Sequence, residues 1–189
     1  MAPTDTSGND PAAVALHNLT RAIDRDKSFP DNVFVSEWDR FFFFDSDWIV
    51  DGAFVRNVQA LLTAENSSCA CLVDLSGDGT FIIGKQTTTA SYVSLLNGQS
   101  IDDGWIYKMG RLACTSDVGH WCIYCEQRSE IAVFALRRSC PLQPYHLFLS
   151  EVHALPISKA LDCSLSYGFS RALLPEWREG LLTHYAATA

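Results

Sequence analysis

Asp45 and Asp47, in the run Phe41-Phe42-Phe43-Phe44-Asp45-Ser46-Asp47, are the pair best placed by type and spacing to do chemistry. Two carboxylates at the end of an apolar strand can share a hard cation such as Mg²⁺, or divide nucleophile and general-acid roles. The surrounding stretch from Asp31 to Asp51 holds six acids, Asp31, Glu37, Asp39, Asp45, Asp47 and Asp51, against one base, Arg40. A second group is Cys114, His120, Cys122 and Cys125, four side chains of zinc-ligand type within twelve residues. Cys122 and Cys125 have the spacing of a zinc knuckle, which needs a tight turn so that both sulfurs meet one ion. Ile123 and Tyr124 make that run extended, and side chains three apart on a strand face opposite ways. These cysteines therefore read as buried thiols, and no metal or other cofactor is expected.

The apolar run followed by Asp-Ser-Asp resembles the first motif of the haloacid dehalogenase-like phosphatases. The likeness covers about ten residues and implies Asp45 as nucleophile, Asp47 as general acid and Mg²⁺ between them. Trp48 stands where that family has a small turn residue, and the flanking elements do not alternate strand and helix as its fold requires. A strand end entering a turn explains the same aspartates without chemistry. Spacing from Asp45 would put Ile49 and Val50 where a calcium loop needs an oxygen ligand and a glycine, which excludes an EF-hand. Ser76-Gly77-Asp78-Gly79 lacks the Gly-Lys-Ser/Thr core of a phosphate loop and reads as a hairpin turn. His17, His120, His146, His153 and His184 could serve a thiol nucleophile, but no cysteine precedes a glycine-rich turn or helix start that would build an oxyanion hole.

The elements that must position these groups follow from periodicity. Asp10 before Pro11 starts a helix over 11–25, with Ala12, Ala15, Leu16, Leu19 and Ile23 on one face. Residues 33–36 and 39–45 read as strands, the second with Phe41 and Phe43 on one face and Phe42 and Phe44 on the other. Apolar on both faces, it reads as a central strand. Asp51 caps a helix carrying Phe54, Val58, Leu61 and Leu62. Residues 69–76 and 80–84 form a hairpin with a three-residue loop, and 91–98 a short helix ended by Asn97 and Gly98. Strands follow at 104–109, 111–116, 120–127 and 130–138, with Gln127-Arg128-Ser129 as the last hairpin loop. Residues 145–155 are ambiguous, 157–162 make a helical turn, and Pro175 opens a closing helix. The expected fold is α+β, a mainly antiparallel sheet of six to eight strands with three or four helices. Residues 1–10 form a disordered lead-in and 11–189 one domain.

Composition bounds the function. The chain of 189 residues is 48% hydrophobic and 19% charged, ordinary for a soluble globular domain, and its seven cysteines form an odd set without a secretory leader. A cytoplasmic protein is expected. Net charge is −8, and residues 1–95 hold thirteen acids against six bases. That disfavours nucleic acid and anionic membranes, which need clustered bases, and favours a basic partner. Asp102-Asp103-Gly104-Trp105 and the turn from Asp117 to Trp121 repeat the pairing of tryptophan with carboxylate seen at Trp38 and Trp48.

Residues 36–62, SEWDRFFFFDSDWIVDGAFVRNVQALL, and residues 103–138, DGWIYKMGRLACTSDVGHWCIYCEQRSEIAVFALRR, resemble parts of bacterial immunity proteins of polymorphic or contact-delivered toxin systems. Together they cover about a third of the chain. The resemblance implies a small cytosolic inhibitor that binds a cognate, basic toxin and does no chemistry. The expected contact residues are Glu37, Asp39, Asp45, Asp47, Trp48 and Asp51, then Asp102, Asp103 and Asp117. A Mg²⁺-dependent phosphatase-like hydrolase using Asp45 and Asp47 is the alternative, and oligomeric state stays open.

Overall fold

Four consecutive phenylalanines set the layering. In β1 (Trp38–Asp45), Phe41 and Phe43 enter one apolar cluster and Phe42 and Phe44 the other, as period-two alternation expects. The structure is a computed structural model and describes residues 10–35, 38–77, 79–98, 104–105, 110–162 and 174–186. Its strands are β1, β2 (Cys69–Asp74), β3 (Thr80–Gly84), β4 (Arg111–Ser116), β5 (Trp121–Glu126) and β6 (Ile131–Arg137). They form one six-stranded antiparallel sheet in the order β1-β6-β5-β4-β2-β3. The fold is α+β.

Helices cover both faces. Among the described residues they are α1 (Pro11–Ala22), α2 (Asp47–Val50), α3 (Phe54–Glu65), α4 (Thr89–Asn97), α5 (His146–Glu151), α6 (Ile157–Asp162) and α7 (Pro175–Tyr185). Ala15 and Leu19 of α1, Ile157 of α6 and Tyr185 of α7 pack with Phe43, Cys71, Cys122, Tyr124 and Val133. Ile49, Phe54, Leu61, Tyr92 and Phe148, from α2 to α5, pack on the other face with Phe44, Leu72, Cys125 and Phe134. Seven helices among the described residues replace the three or four expected: the helical turn expected at 157–162 is α6, and α2 and α5 span 4 and 6 residues and are too short to show helical periodicity.

Local signals work where they are chemical. Asp10 accepts from Ala12 N at 3.1 Å, and α1 stops at Ala22, short of the expected Arg25, because Ile23 bridges to Phe34. That one bridge is all that forms of the expected strand at 33–36 among its described residues. Gly98, at φ 61°, ends α4. β2 ends at Asp74 and β3 begins at Thr80, so the connection is longer than the expected three residues; the Asp74 carboxylate accepts from Ser76 N at 2.9 Å and turns the chain out of the strand. The strand expected at 104–109 lies outside the described residues except for Gly104 and Trp105.

The expectation of a central position for β1 is corrected: β1 is an edge strand. Apolar residues on both faces report helices above and below, and say nothing about neighbours in the sheet. Its open edge is partly closed by Leu155, whose N–H and carbonyl pair with Phe43 at 2.9 and 2.7 Å. Among the described residues no helix is long and apolar enough to cross a membrane.

Candidate functional site

The end of β1 is held from several sides. Asp45 Oδ1 accepts from Asp47 N at 2.8 Å, which turns the chain into α2. Buried Ser46 donates its N–H to Glu130 O at 3.4 Å, and its carbonyl accepts from Gln127 Nε2 at 3.3 Å. The hydroxyl of fully buried Tyr92 donates to Ile49 O at 2.6 Å, and Asp51 Oδ1 accepts from Ala53 N at 2.6 Å. These bonds leave Asp45, Asp47, Trp48 and Asp51 lining one open hollow of about 180 Å³. Trp48 stands edge-on to His153, with ring centroids 6.4 Å apart.

No cation among the described residues forms an ion pair with these three carboxylates. Asp45 is half-buried, and burial raises its pKa above the usual carboxylate value. The Asp47 amide opposes that shift, and the Asp47 and Glu130 carboxylates add to it. Such a site can receive a guanidinium or ammonium group beside an indole ring.

The other expected contact residues are employed differently. Asp39 Oδ2 pairs with Arg138 Nε at 2.6 Å and Oδ1 lies 3.9 Å from Arg40 Nε, so its charge is matched within the chain. Asp117 accepts from Ser67 Oγ and from Ser68 N at 3.2 Å, tying the start of β2 to the β4–β5 turn. Glu37, Asp102 and Asp103 lie outside the described residues. Cys122 and Cys125 belong to opposite apolar clusters and cannot share an ion. Six described cysteines are free and buried, and burial pushes the Cys69 and Cys71 thiols up to about 11. Among the described residues no group of three or more possible ligands could hold a metal.

Glu65 is a polar centre that type and spacing did not single out. Its side chain is fully buried at the end of α3. It accepts from Ser116 Oγ at 2.5 Å and from Tyr145 OH at 3.2 Å, and half-exposed His120 puts Nδ1 3.6 Å away. Burial raises its pKa, against the opposing pull of Ser116, His120, Tyr145 and Trp121. The indole nitrogen of Trp121 is buried without a hydrogen bond of good geometry, so its effect on Glu65 is that of a nearby dipole. A signal was present: Glu65 follows Val58, Leu61 and Leu62 at helical spacing, on the buried stripe of α3. Ser116, His120 and Glu65 have the residue types of a hydrolytic triad without its connections. Ser116 is fully buried and donates to the carboxylate, and Gly119 N donates to it at 3.0 Å, so no imidazole stands ready to take its proton.

No family model, curated protein or solved structure matches this chain. Its two polar centres therefore have to be weighed on their chemistry. Glu65 is enclosed and saturated with donors, which suits a structural centre. The hollow at the end of β1 is open, acidic and fixed by backbone hydrogen bonds, which suits recognition.

Proposed function

We propose that this chain is a stoichiometric binding protein that neutralises a basic bacterial toxin in the cytoplasm, as an immunity protein does. The observation that carries the proposal is the convergence of Asp45, Asp47, Asp51 and Trp48 on one hollow with no paired cation among the described residues. A lysine or arginine entering it would meet three carboxylates and a ring, the composition of an interface anchor. The net charge of −8 steers a basic partner toward the chain and repels nucleic acid and anionic membranes. Rigid seating helps as well, because α2 is tied to Tyr92 and Gln127 before any partner arrives.

The test is protection of growth. The chain is co-expressed with the product of any toxin gene found beside its own, as wild type and as Asp47→Lys/Asp51→Lys, two exposed positions that leave the core untouched. Wild type should protect, and the double variant should associate roughly tenfold more slowly at low salt, with a weaker salt dependence. Equal association and equal protection by the two would refute the acidic face, and no complex with wild type would refute the inhibitor.

One observation favours a second reading, the Mg²⁺-dependent phosphatase-like hydrolase. Asp45 and Asp47 share the hollow, and Asp45 holds its proton more tightly than usual. Against it stands the antiparallel sheet, which differs from the strand–helix alternation around the motif that Asp45 and Asp47 resemble. Phosphatase activity that needs Mg²⁺ and is abolished by Asp45→Asn would establish it.

A further inference from the structure

The short helix α5 has little of its own to hold it in place. Its 6 residues are too few to stay helical unaided, and Leu147 on its outer side is 83% exposed. Attachment comes from its inner side and from the turn before it. Phe148 packs on Phe44 and Phe134, with ring centroids 5.9 and 5.2 Å apart. Tyr145, buried at the end of the 143–145 turn, sets its ring centroid 5.7 Å from that of Phe134 and donates its hydroxyl to Glu65 at 3.2 Å.

Glu65 is therefore the polar anchor of α5, and it can titrate. It ends α3, where the helix dipole opposes negative charge, and its side chain has no exposed surface. The groups that face it are Ser116 at the end of β4, His120 and Trp121 at the start of β5, and Tyr145. Ser116, Trp121 and Tyr145 are neutral donors, and burial keeps the Tyr145 hydroxyl protonated. Arg40, the cation that acts on Tyr145, donates to the carbonyls of Arg137 and Cys140. Among the described residues no lysine or arginine pairs with Glu65. Its one counter-charge there is half-exposed His120, with Nδ1 3.6 Å away, and only when that ring is protonated.

We infer that Glu65 and His120 form a proton-operated latch that fastens α5 to the end of α3. Closed, the latch buries the Glu65 carboxyl; open, it hydrates it. A proton on Glu65 removes the buried charge and a proton on His120 matches it, so uptake by either favours the closed state. The raised pKa of Glu65 has the same direction. Opening returns Glu65 to its usual value of 4.5, so opening becomes easier as pH rises from there to the folded value, and then levels. Beyond α5 the chain runs through His153, whose ring faces Trp48, to Leu155 on the edge of β1, so release of the latch loosens the support of both. The latch needs no partner at the acidic hollow.

The test is hydrogen–deuterium exchange of the full chain from acid to mildly alkaline pH, read on peptides covering 145–152 and corrected for the intrinsic rate. Their opening constant should exceed the global unfolding constant obtained in urea. It should rise by up to about tenfold per pH unit above 4.5 and then flatten. Glu65→Gln should abolish the rise. His120→Asn keeps the carboxylate, removes its counter-charge at a half-exposed position, and should carry the rise to higher pH. A flat wild-type profile, a rise that survives Glu65→Gln, a profile unmoved in His120→Asn, or opening of α5 only at the global unfolding constant would overturn the inference.

Discussion

Replacing Glu65 by glutamine should change the pH dependence of stability as well as its size. The carboxylate receives hydroxyl donors from Ser116 and Tyr145, and glutamine turns an amide NH₂ toward one of them. Losing one hydrogen bond to a charged group costs about 1.5–3 kcal/mol, and relief from burying a charge returns part of that at neutral pH. The sign follows from the raised pKa. Glu65 binds its proton more tightly folded than unfolded, so folding takes up a proton between the usual value of 4.5 and the higher folded one. The stabilisation this gives is complete below 4.5 and lost as pH rises through the folded pKa. Glutamine has no such loss. Urea unfolding of wild type and Glu65→Gln from acid to neutral pH should therefore show a penalty that is largest at the acid end and shrinks as pH rises. A penalty that is flat or grows with pH would refute the account, because Glu65 would then be favoured as a carboxylate. Adding His120→Asn removes one of the interactions that hold the Glu65 pKa down, and should extend the window upward.

Two further outcomes test the frame around the site. Tyr92→Phe leaves the Ile49 carbonyl without its buried donor, so it should cost about 1–3 kcal/mol and speed amide exchange at Ile49 and Val50; wild-type stability and exchange would show that α2 is held otherwise. In a Cys163→Ser background, the six buried thiols should resist a disulfide reagent at mildly alkaline pH until urea unfolds the chain, and rapid labelling of folded protein would contradict their burial.

How much was legible depends on the range of the interaction. Alternation across Phe41 to Phe44 and across Cys122 to Cys125 assigned faces correctly, because side-chain direction on a strand is local. The caps at Asp10 and Gly98 are local as well. Whether β1 sits at the centre or the edge depends on β6, far along the chain, and no pattern within β1 reports that. The acids divide the same way. Asp39 finds Arg138 and Asp117 finds Ser67 only after folding, so type alone counted both as surface charge. Glu65 was passed over because acids are expected outside, although its helical phase pointed inward.

Folding therefore sorts the acids of the opening segment and leaves β1 with unlike ends. At its C-terminal end Asp45, Asp47 and Asp51 face the hollow without a paired cation among the described residues. At its N-terminal end Asp39 is held by Arg138 Nε at 2.6 Å, and the Arg137 guanidinium lies over the Trp38 ring. A strand of eight residues spans about 24 Å at about 3.4 Å per residue, or about three Debye lengths at physiological salt. Each field is thus screened before it reaches the other site, and charge bound at one end leaves the other nearly unchanged. Arg138→Glu should therefore leave association of a basic partner at Asp47 nearly unchanged. Coupling between the two would require movement of β1 itself, which its ladder with β6, its bridge to Leu155 and its two apolar faces oppose.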